Sequence, residues 1–246
     1  MKRISWQVPL GLSLVALSAI LYYAHFVIFQ DVHHIFIYLL GDIAFVPVEV
    51  LLVTLIIHRL LSAREKKQRL GKLNMVIGTF FSEVGTKLLK LFATFDHNSE
   101  KIRQELVVKD TWSKQTFLSV GKRLKHYDCK IESQKGDLVD LRNFLVEHQD
   151  FLLRLLENPN LLEHESFTEL LRAVFHLTEE LENRADVNKL SKTDYDHLSG
   201  DIKRVHILLL SEWVDYMKYL KSKYPYLFSL AIRVNPFDPT ASVEFK

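Results

Sequence analysis

VPLGLSLVALSAILYYAHFVI, residues 8–28, is a long apolar run that carries no acidic or basic side chain apart from His25. A helix rises about 1.5 Å per residue, so the run is about 30 Å long, the thickness of a bilayer's hydrocarbon core. A secretory signal has a shorter apolar core and a small-residue cleavage site, whereas this run ends in bulky aromatic residues. The sequence therefore predicts a retained membrane-spanning helix.

A second apolar run, IFIYLLGDIAFVPVEVLLVTLII, covers residues 35–57, and its flanks indicate the orientation of both runs. Lys2 and Arg3 precede the first run, and the connection at 29–34 contains no lysine or arginine. Positive-inside reasoning predicts a two-pass hairpin in a plasma or inner membrane, with both termini cytoplasmic. Basic residues that follow the second run are expected to contact anionic lipid headgroups: Arg59, Arg64, Lys66, Lys67, Arg69 and Lys72.

Asp42 and Glu49 lie within the second run, seven positions apart, and therefore on nearly the same helix face. A carboxylate near the bilayer centre costs about 2.5 to 3.5 kcal/mol, so both acids are expected to face protein or water. Their depth places Asp42 near Tyr22, Tyr23 or His25, and Glu49 near Ser18. Three interpretations remain open: polar assembly of the hairpin or an oligomer, a proton or cation relay, and a span shifted to 43–61 that leaves only Glu49 deep.

Residues 62–95 are predicted to form a basic juxtamembrane segment and a long amphipathic helix. Gly71, Gly78 and Gly85 repeat every seven residues and so fall on one helical stripe. Glycine costs up to about 1 kcal/mol inside a helix, so three in register suggest close approach of another helix. Packing within the chain and self-association are both compatible with this stripe.

Residues 96–246 are predicted to form a cytoplasmic helical bundle, since helical periodicity recurs and no strand-like alternation persists. Helices are expected over about 99–108, 111–131 and 136–158. Ser166 and Glu169 fit a capping box that opens a helix to about 185, and Ser191 fits the start of a last long helix. The predicted fold is all-α: a transmembrane hairpin over 1–61, the juxtamembrane helix, and the bundle.

The sequence carries none of the common motifs for catalysis or cofactor binding. The chain has no GxxxxGK[ST], GxGxxG, GxSxG or HExxH motif, and no Glu-x-x-His pair typical of di-iron bundles. Its single cysteine, Cys129, excludes an internal disulfide and a thiolate-rich metal site. Lys and Arg number 32 against 30 acidic residues, so no nucleic-acid partner is indicated. No enzyme activity, cofactor or metal is expected.

KLNMVIGTFFSEVG (72–85) and YPYLFSLAIRVNPFD (224–238) resemble stretches of uncharacterised prokaryotic two-pass membrane proteins. That resemblance implies no activity, cofactor or site residue.

The expected function is that of a non-enzymatic integral membrane protein whose cytoplasmic helices form an interaction or signalling module. The expected partners are membrane lipid, an unidentified cytoplasmic protein and further copies of the chain. The alternative is an oligomer that handles ions or protons through Asp42 and Glu49.

Overall fold

Two long helices open the chain in this computed structural model, which describes residues 7–159, 161 and 164–242. Helix α1 is Gln7–Phe29 and helix α2 is Val32–Phe80. Between them Gln30 has a φ of 49°, in the left-handed region, and Asp31 Oδ1 accepts a hydrogen bond of 3.1 Å from the His34 backbone N–H. This side-chain contact caps the start of α2.

Side chains of residues 7, 8 and 66–70 are outside the described set, although these positions are helical. The predictions for Lys2 and Arg3, and for the side chains of Lys66, Lys67 and Arg69, therefore lie outside the described residues. Arg59, Arg64 and Lys72 are described and exposed.

The chain divides into two compact units, Met1–Lys66 and Lys67–Lys246, and α2 contributes residues to both. In the first unit, the stretches Pro9–Phe29 and Val32–Glu65 are long and apolar enough to cross a membrane, with mean hydropathies of 2.0 and 2.2. Apolar side chains along both stretches are exposed rather than packed into a core.

The second unit is built around a long helix near its C-terminal end. Helix α9 (Lys192–Lys223) packs against α3, α5, α8 and α10, and α8 also packs against α6 and α7. No β-strand occurs among the described residues; one isolated antiparallel bridge joins Asp96 and Ile131. The remaining helices are α3 (Thr86–Phe95), α4 (Ser99–Leu106), α5 (Lys114–Leu124), α6 (Leu138–Glu147), α7 (Gln149–Leu156), α8 (Glu165–Glu182) and α10 (Pro225–Arg233). The all-α prediction is confirmed.

A π-helical turn, Phe81–Gly85, separates α2 from α3 within the predicted juxtamembrane helix. The Phe81 carbonyl accepts hydrogen bonds from the backbone N–H and the hydroxyl of Thr86, the latter at 2.7 Å. Phe80 packs edge-on against Phe167 of α8, and Phe81 packs against Trp213 of α9, with ring centroids 5.3 Å apart in both pairs. This end of the helix is therefore part of the core of the second unit.

Three local predictions are wrong. The helix predicted over 136–158 is broken at His148, whose Nδ1 lies 2.8 Å from the Phe144 carbonyl that the helical backbone would otherwise use. The helix predicted to reach 131 ends at Leu124, because the following residues pair with the segment around Asp96. Ser166 does not cap α8, since His164 Nδ1 accepts from the Phe167 N–H and the helix begins at Glu165.

Candidate functional site

Two successive helices bring two histidines and two carboxylates together in the second unit. Helix α8 carries His176 and Glu180, and helix α9 carries His197 and Asp201. Each pair is four residues apart, which places both of its members on one helix face. These four residues are called the α8–α9 cluster below.

Atoms of the α8–α9 cluster lie close together across the two helices. Asp201 Oδ2 is 3.3 Å from His197 Nε2 and 3.8 Å from His176 Nε2. Glu180 Oε2 is 3.6 Å from His197 Nε2, and Glu180 Oε1 is 3.9 Å from His176 Nε2. Each imidazole therefore faces one carboxylate on its own helix and one on the other.

Burial differs sharply within the cluster. The imidazoles of His176 and His197 are 46% and 53% exposed, whereas the Asp201 side chain is only 5% exposed. Asp201 Oδ2 is buried and accepts no hydrogen bond among the described residues, although both imidazoles are near it. A buried carboxylate oxygen without a hydrogen bond is costly, so this arrangement calls for a charged partner.

Each carboxylate of the cluster also pairs with an arginine, Glu180 with Arg184 and Asp201 with Arg204. Arg184 NH1 donates to Glu180 Oε2 at 2.6 Å, and this hydrogen bond is the main cause that lowers the pKa of Glu180. Arg184 NH2 also lies 3.6 Å from Asp194 Oδ1, so part of its charge is balanced elsewhere. Arg204 NH1 lies 3.7 Å from Asp201 Oδ1 and leaves Oδ2 directed at the histidines.

A second polar cluster is centred on three buried residues, Asp96, Cys129 and His206. Asp96 Oδ2 accepts hydrogen bonds from the Tyr127 hydroxyl and, at 3.5 Å, from the Cys129 thiol. Asp96 Oδ1 accepts from the backbone N–H groups of Asn98 and Lys130. His206 lies beside Asp96 and Cys129, and these residues together with Tyr127 are called the Asp96 cluster below. Neither ring nitrogen of His206 makes a hydrogen bond among the described residues.

Protonation in the Asp96 cluster is governed by burial. Burial, reinforced by Asp96, raises the pKa of Cys129 to about 12, and the same two effects raise the pKa of Tyr127. Burial lowers the pKa of His206 to about 4, although the nearby charge of Asp96 acts to raise it. The thiol and phenol therefore keep their protons, and they serve as hydrogen-bond donors to one carboxylate. This is the chemistry of a structural linkage between segments rather than of a nucleophile.

In the first unit, polar groups of α1 and α2 meet. Tyr22 Oη lies 3.4 Å from Asp42 Oδ2, and the rings of His25 and His34 stack with centroids 6.1 Å apart. His25 Nδ1 is buried and has no hydrogen-bond partner in the part of the chain that the structure describes. Glu49 is exposed, and it makes no hydrogen bond or ion pair with any residue that the structure describes.

The three glycines of the predicted stripe have different surroundings. A Cβ added to Gly78 would lie 3.0 Å from Tyr216 Oη, and one added to Gly85 would lie 2.6 Å from Phe81 Cδ1. A Cβ added to Gly71 meets none of the described atoms within 4 Å. Gly78 and Gly85 are thus closely approached by side chains of the chain itself.

Comparison with known proteins identifies the family. The family model described as "Uncharacterized protein MJ1433, C-terminal helical domain" matches residues 69–233, and "MJ1433, N-terminal helical domain" matches residues 2–61. The chain belongs to the MJ1433 family. "Uncharacterized protein MJ1433" of Methanocaldococcus jannaschii is 51% identical to it over 233 residues, covering 95% of this chain and 94% of that relative. No solved structure matches.

Membership of the MJ1433 family confirms the predicted resemblance to an uncharacterised prokaryotic family. The two family domains meet between residues 61 and 69, which agrees with the division of the structure after Lys66. Both polar clusters of the second unit lie within the C-terminal helical domain of the MJ1433 family.

The α8–α9 cluster contains no Glu-x-x-His pair and was therefore absent from the sequence-based predictions. The available signal was a histidine followed four residues later by a carboxylate in two consecutive helices: His176 with Glu180, then His197 with Asp201. That pattern is common on helix surfaces, where it forms ordinary ion pairs. Only the packing of α8 against α9 shows that the two pairs converge.

Proposed function

We propose that this chain is a non-enzymatic integral membrane protein, anchored by the α1–α2 hairpin, whose cytoplasmic helices form an interaction or signalling module. One observation carries the proposal: the apolar side chains of the first unit face outward along both helices. Leu12, Val15 and Leu40, for example, are 67%, 68% and 70% exposed. An aqueous protein rarely exposes an apolar surface of this length, whereas a bilayer solvates it.

Charge supports the cytoplasmic placement of the second unit. Arg59, Arg64 and Lys72 are exposed on α2 beyond the second apolar run, and positively charged flanks favour the cytoplasmic side. Their headgroup contacts would each contribute about 1 kcal/mol near an anionic surface. Exposed apolar side chains on α10, Tyr226 and Leu230 among them, support the interaction part of the proposal.

Cysteine accessibility tests the topology, because Cys129 is the only cysteine of the chain and is buried. In a Cys129→Ser background, His33→Cys marks the turn and Lys109→Cys marks an exposed position in the second unit. We expect a membrane-impermeant maleimide to label intact cells at position 33, and to label position 109 only after lysis. Labelling at 109 in intact cells, or release of the chain by alkaline carbonate, would contradict the proposal.

A second candidate function is proton or cation handling by an oligomer. Two observations favour it: Tyr22 contacts Asp42, and the buried Nδ1 of His25 has no hydrogen-bond partner among the described residues. Both place polar groups inside an apolar hairpin. Two helices cannot enclose a pore, so several copies would be required. In proteoliposomes the combined Asp42→Asn and Glu49→Gln variant should then lose a pH-dependent flux that the wild type carries. Absence of flux in the wild type at every pH would eliminate this candidate.

A further inference from the structure

We propose that the α8–α9 cluster binds one divalent transition-metal ion of the zinc class, with His176 Nε2, His197 Nε2, Glu180 and Asp201 Oδ2 as its four ligands. This site goes beyond the anchoring and interaction roles proposed above and does not depend on them. It also departs from the sequence-based expectation that the chain holds no metal.

Spacing of the ligand atoms supports a tetrahedral site. Zinc lies about 2.0 to 2.2 Å from imidazole nitrogen and carboxylate oxygen, so neighbouring ligand atoms of a tetrahedron are about 3.4 Å apart. The ligand atoms of His176, Glu180 and His197 lie within 4.8 Å of one another, and Asp201 Oδ2 lies 3.3 and 3.8 Å from the two imidazoles. The half-exposed imidazoles and the Glu180 carboxylate would have to rotate towards Asp201 to bring all four ligands to bonding distance.

Asp201 supplies an independent indication of a cation. Its side chain is 95% buried, yet Oδ2 points at both imidazoles without accepting a hydrogen bond among the described residues. A metal ion between the three groups would compensate this buried oxygen directly. Arg204, next to Oδ1, would keep the carboxylate in the orientation that offers Oδ2.

Ligand chemistry decides the class of ion. Two imidazoles and two carboxylates suit zinc and its neighbours, whereas calcium and magnesium prefer oxygen ligands alone. The two carboxylates carry the charge that a divalent ion needs. Arg184 occupies Glu180 Oε2 and also lies near Asp194, so Glu180 Oε1 remains the oxygen that can reach the metal.

Coordination by four protein groups leaves no open position on a tetrahedral ion, as in structural zinc sites. The ion would join α8 to α9 near the loop that connects them. Binding to the folded chain alone would raise its thermal stability as the metal concentration rises.

Zinc titration of the full-length, detergent-solubilised protein tests the site, with cobalt as a spectroscopic probe of geometry. We expect one zinc ion per chain, a cobalt spectrum typical of four-coordination, and a zinc-dependent rise in Tm. His176→Gln and His197→Gln should each weaken zinc binding at least about tenfold. Both side chains are half-exposed, so the metal-free variants should keep the wild-type circular dichroism and Tm.

His126→Gln is the matched control, because His126 is exposed on the same unit but lies outside the cluster. It should bind zinc as the wild type does. Asp201→Asn should lose zinc affinity as the histidine variants do, and it tests the buried ligand separately. The proposal is overturned if the wild type binds no zinc at micromolar concentration, or if binding survives unchanged in both histidine variants.

Discussion

Protonation of the buried His206 should affect folding. It is completely buried within the Asp96 cluster, beside Asp96 and Cys129, and its ring meets that of Phe92 with centroids 5.8 Å apart. Burial lowers the pKa of His206 to about 4, from an ordinary value of 6.5. Between these two values the unfolded chain binds a proton at this position and the folded chain does not.

We therefore expect the free energy of unfolding to fall as the pH drops from about 6.5 to about 4, with His206 contributing about 3 kcal/mol of that loss. Above pH 6.5 the imidazole is neutral in both states and contributes no pH dependence. Denaturant unfolding of the wild type and of His206→Leu at a series of pH values measures this contribution.

His206→Leu should lose much of the pH dependence of the free energy of unfolding between about pH 4 and 6.5, because leucine cannot titrate. His126→Leu, at an exposed position, serves as the control and should keep the wild-type pH dependence. Equal slopes in the wild type and in His206→Leu would show that the buried imidazole is not the cause.

At the scale of elements, the packing of the Tyr216 side chain of α9 against α2 depends on Gly78. A Cβ there would lie 3.0 Å from Tyr216 Oη, whose ring also stacks on Phe81 with centroids 5.1 Å apart. Gly78→Leu should lower the free energy of unfolding by about 1 to 3 kcal/mol, since overpacking forces neighbouring side chains out of position.

Gly71→Leu is the matched comparison on the same helix, where a Cβ comes within 4 Å of no atom that the structure describes. Leucine has the higher helix propensity, so this variant should be neutral or more stable by up to about 1 kcal/mol. Thermal unfolding and oligomeric state of both variants test whether the glycine stripe is closely packed. If Gly78→Leu leaves both unchanged, the stripe is not a close-packed seam.

For the whole molecule, the hairpin carboxylates predict self-association. Asp42 and Glu49 are exposed on a single chain, and a carboxylate facing lipid near mid-bilayer costs about 2.5 to 3.5 kcal/mol. We expect the wild type to form a defined oligomer in native lipid, and the combined Asp42→Asn and Glu49→Gln variant to dissociate. Native mass measurement in lipid nanodiscs distinguishes the two.

Glu65→Gln, beyond the second apolar run, is the control for that measurement and should leave the mass unchanged. An oligomer that survives the double substitution would free both acids for a relay. A monomer in every case would direct attention to the interior of the hairpin and to a partner protein.

Helix class and most helix starts were predictable because they depend on neighbours in the chain. Ser191 accepts the Asp194 N–H as its position before a helical run suggested, and the end of α9 at Lys223 precedes Pro225. The break at His148 and the cap at His164 were not predictable. In both places a histidine Nδ1 pairs with a backbone group: the Phe144 carbonyl for His148 and the Phe167 N–H for His164. Nothing in the local pattern separates such a histidine from one that faces solvent.

The sequence by itself determined the two long apolar helices and the helical class, because length and hydropathy act along the chain. Tertiary structure alone decided which polar groups converge. His176 and Glu180 meet His197 and Asp201 only when α8 packs on α9, and Asp96 meets Cys129 and His206 only in the folded core. Sites of this kind depend on distances across elements, which residue spacing in one helix does not specify.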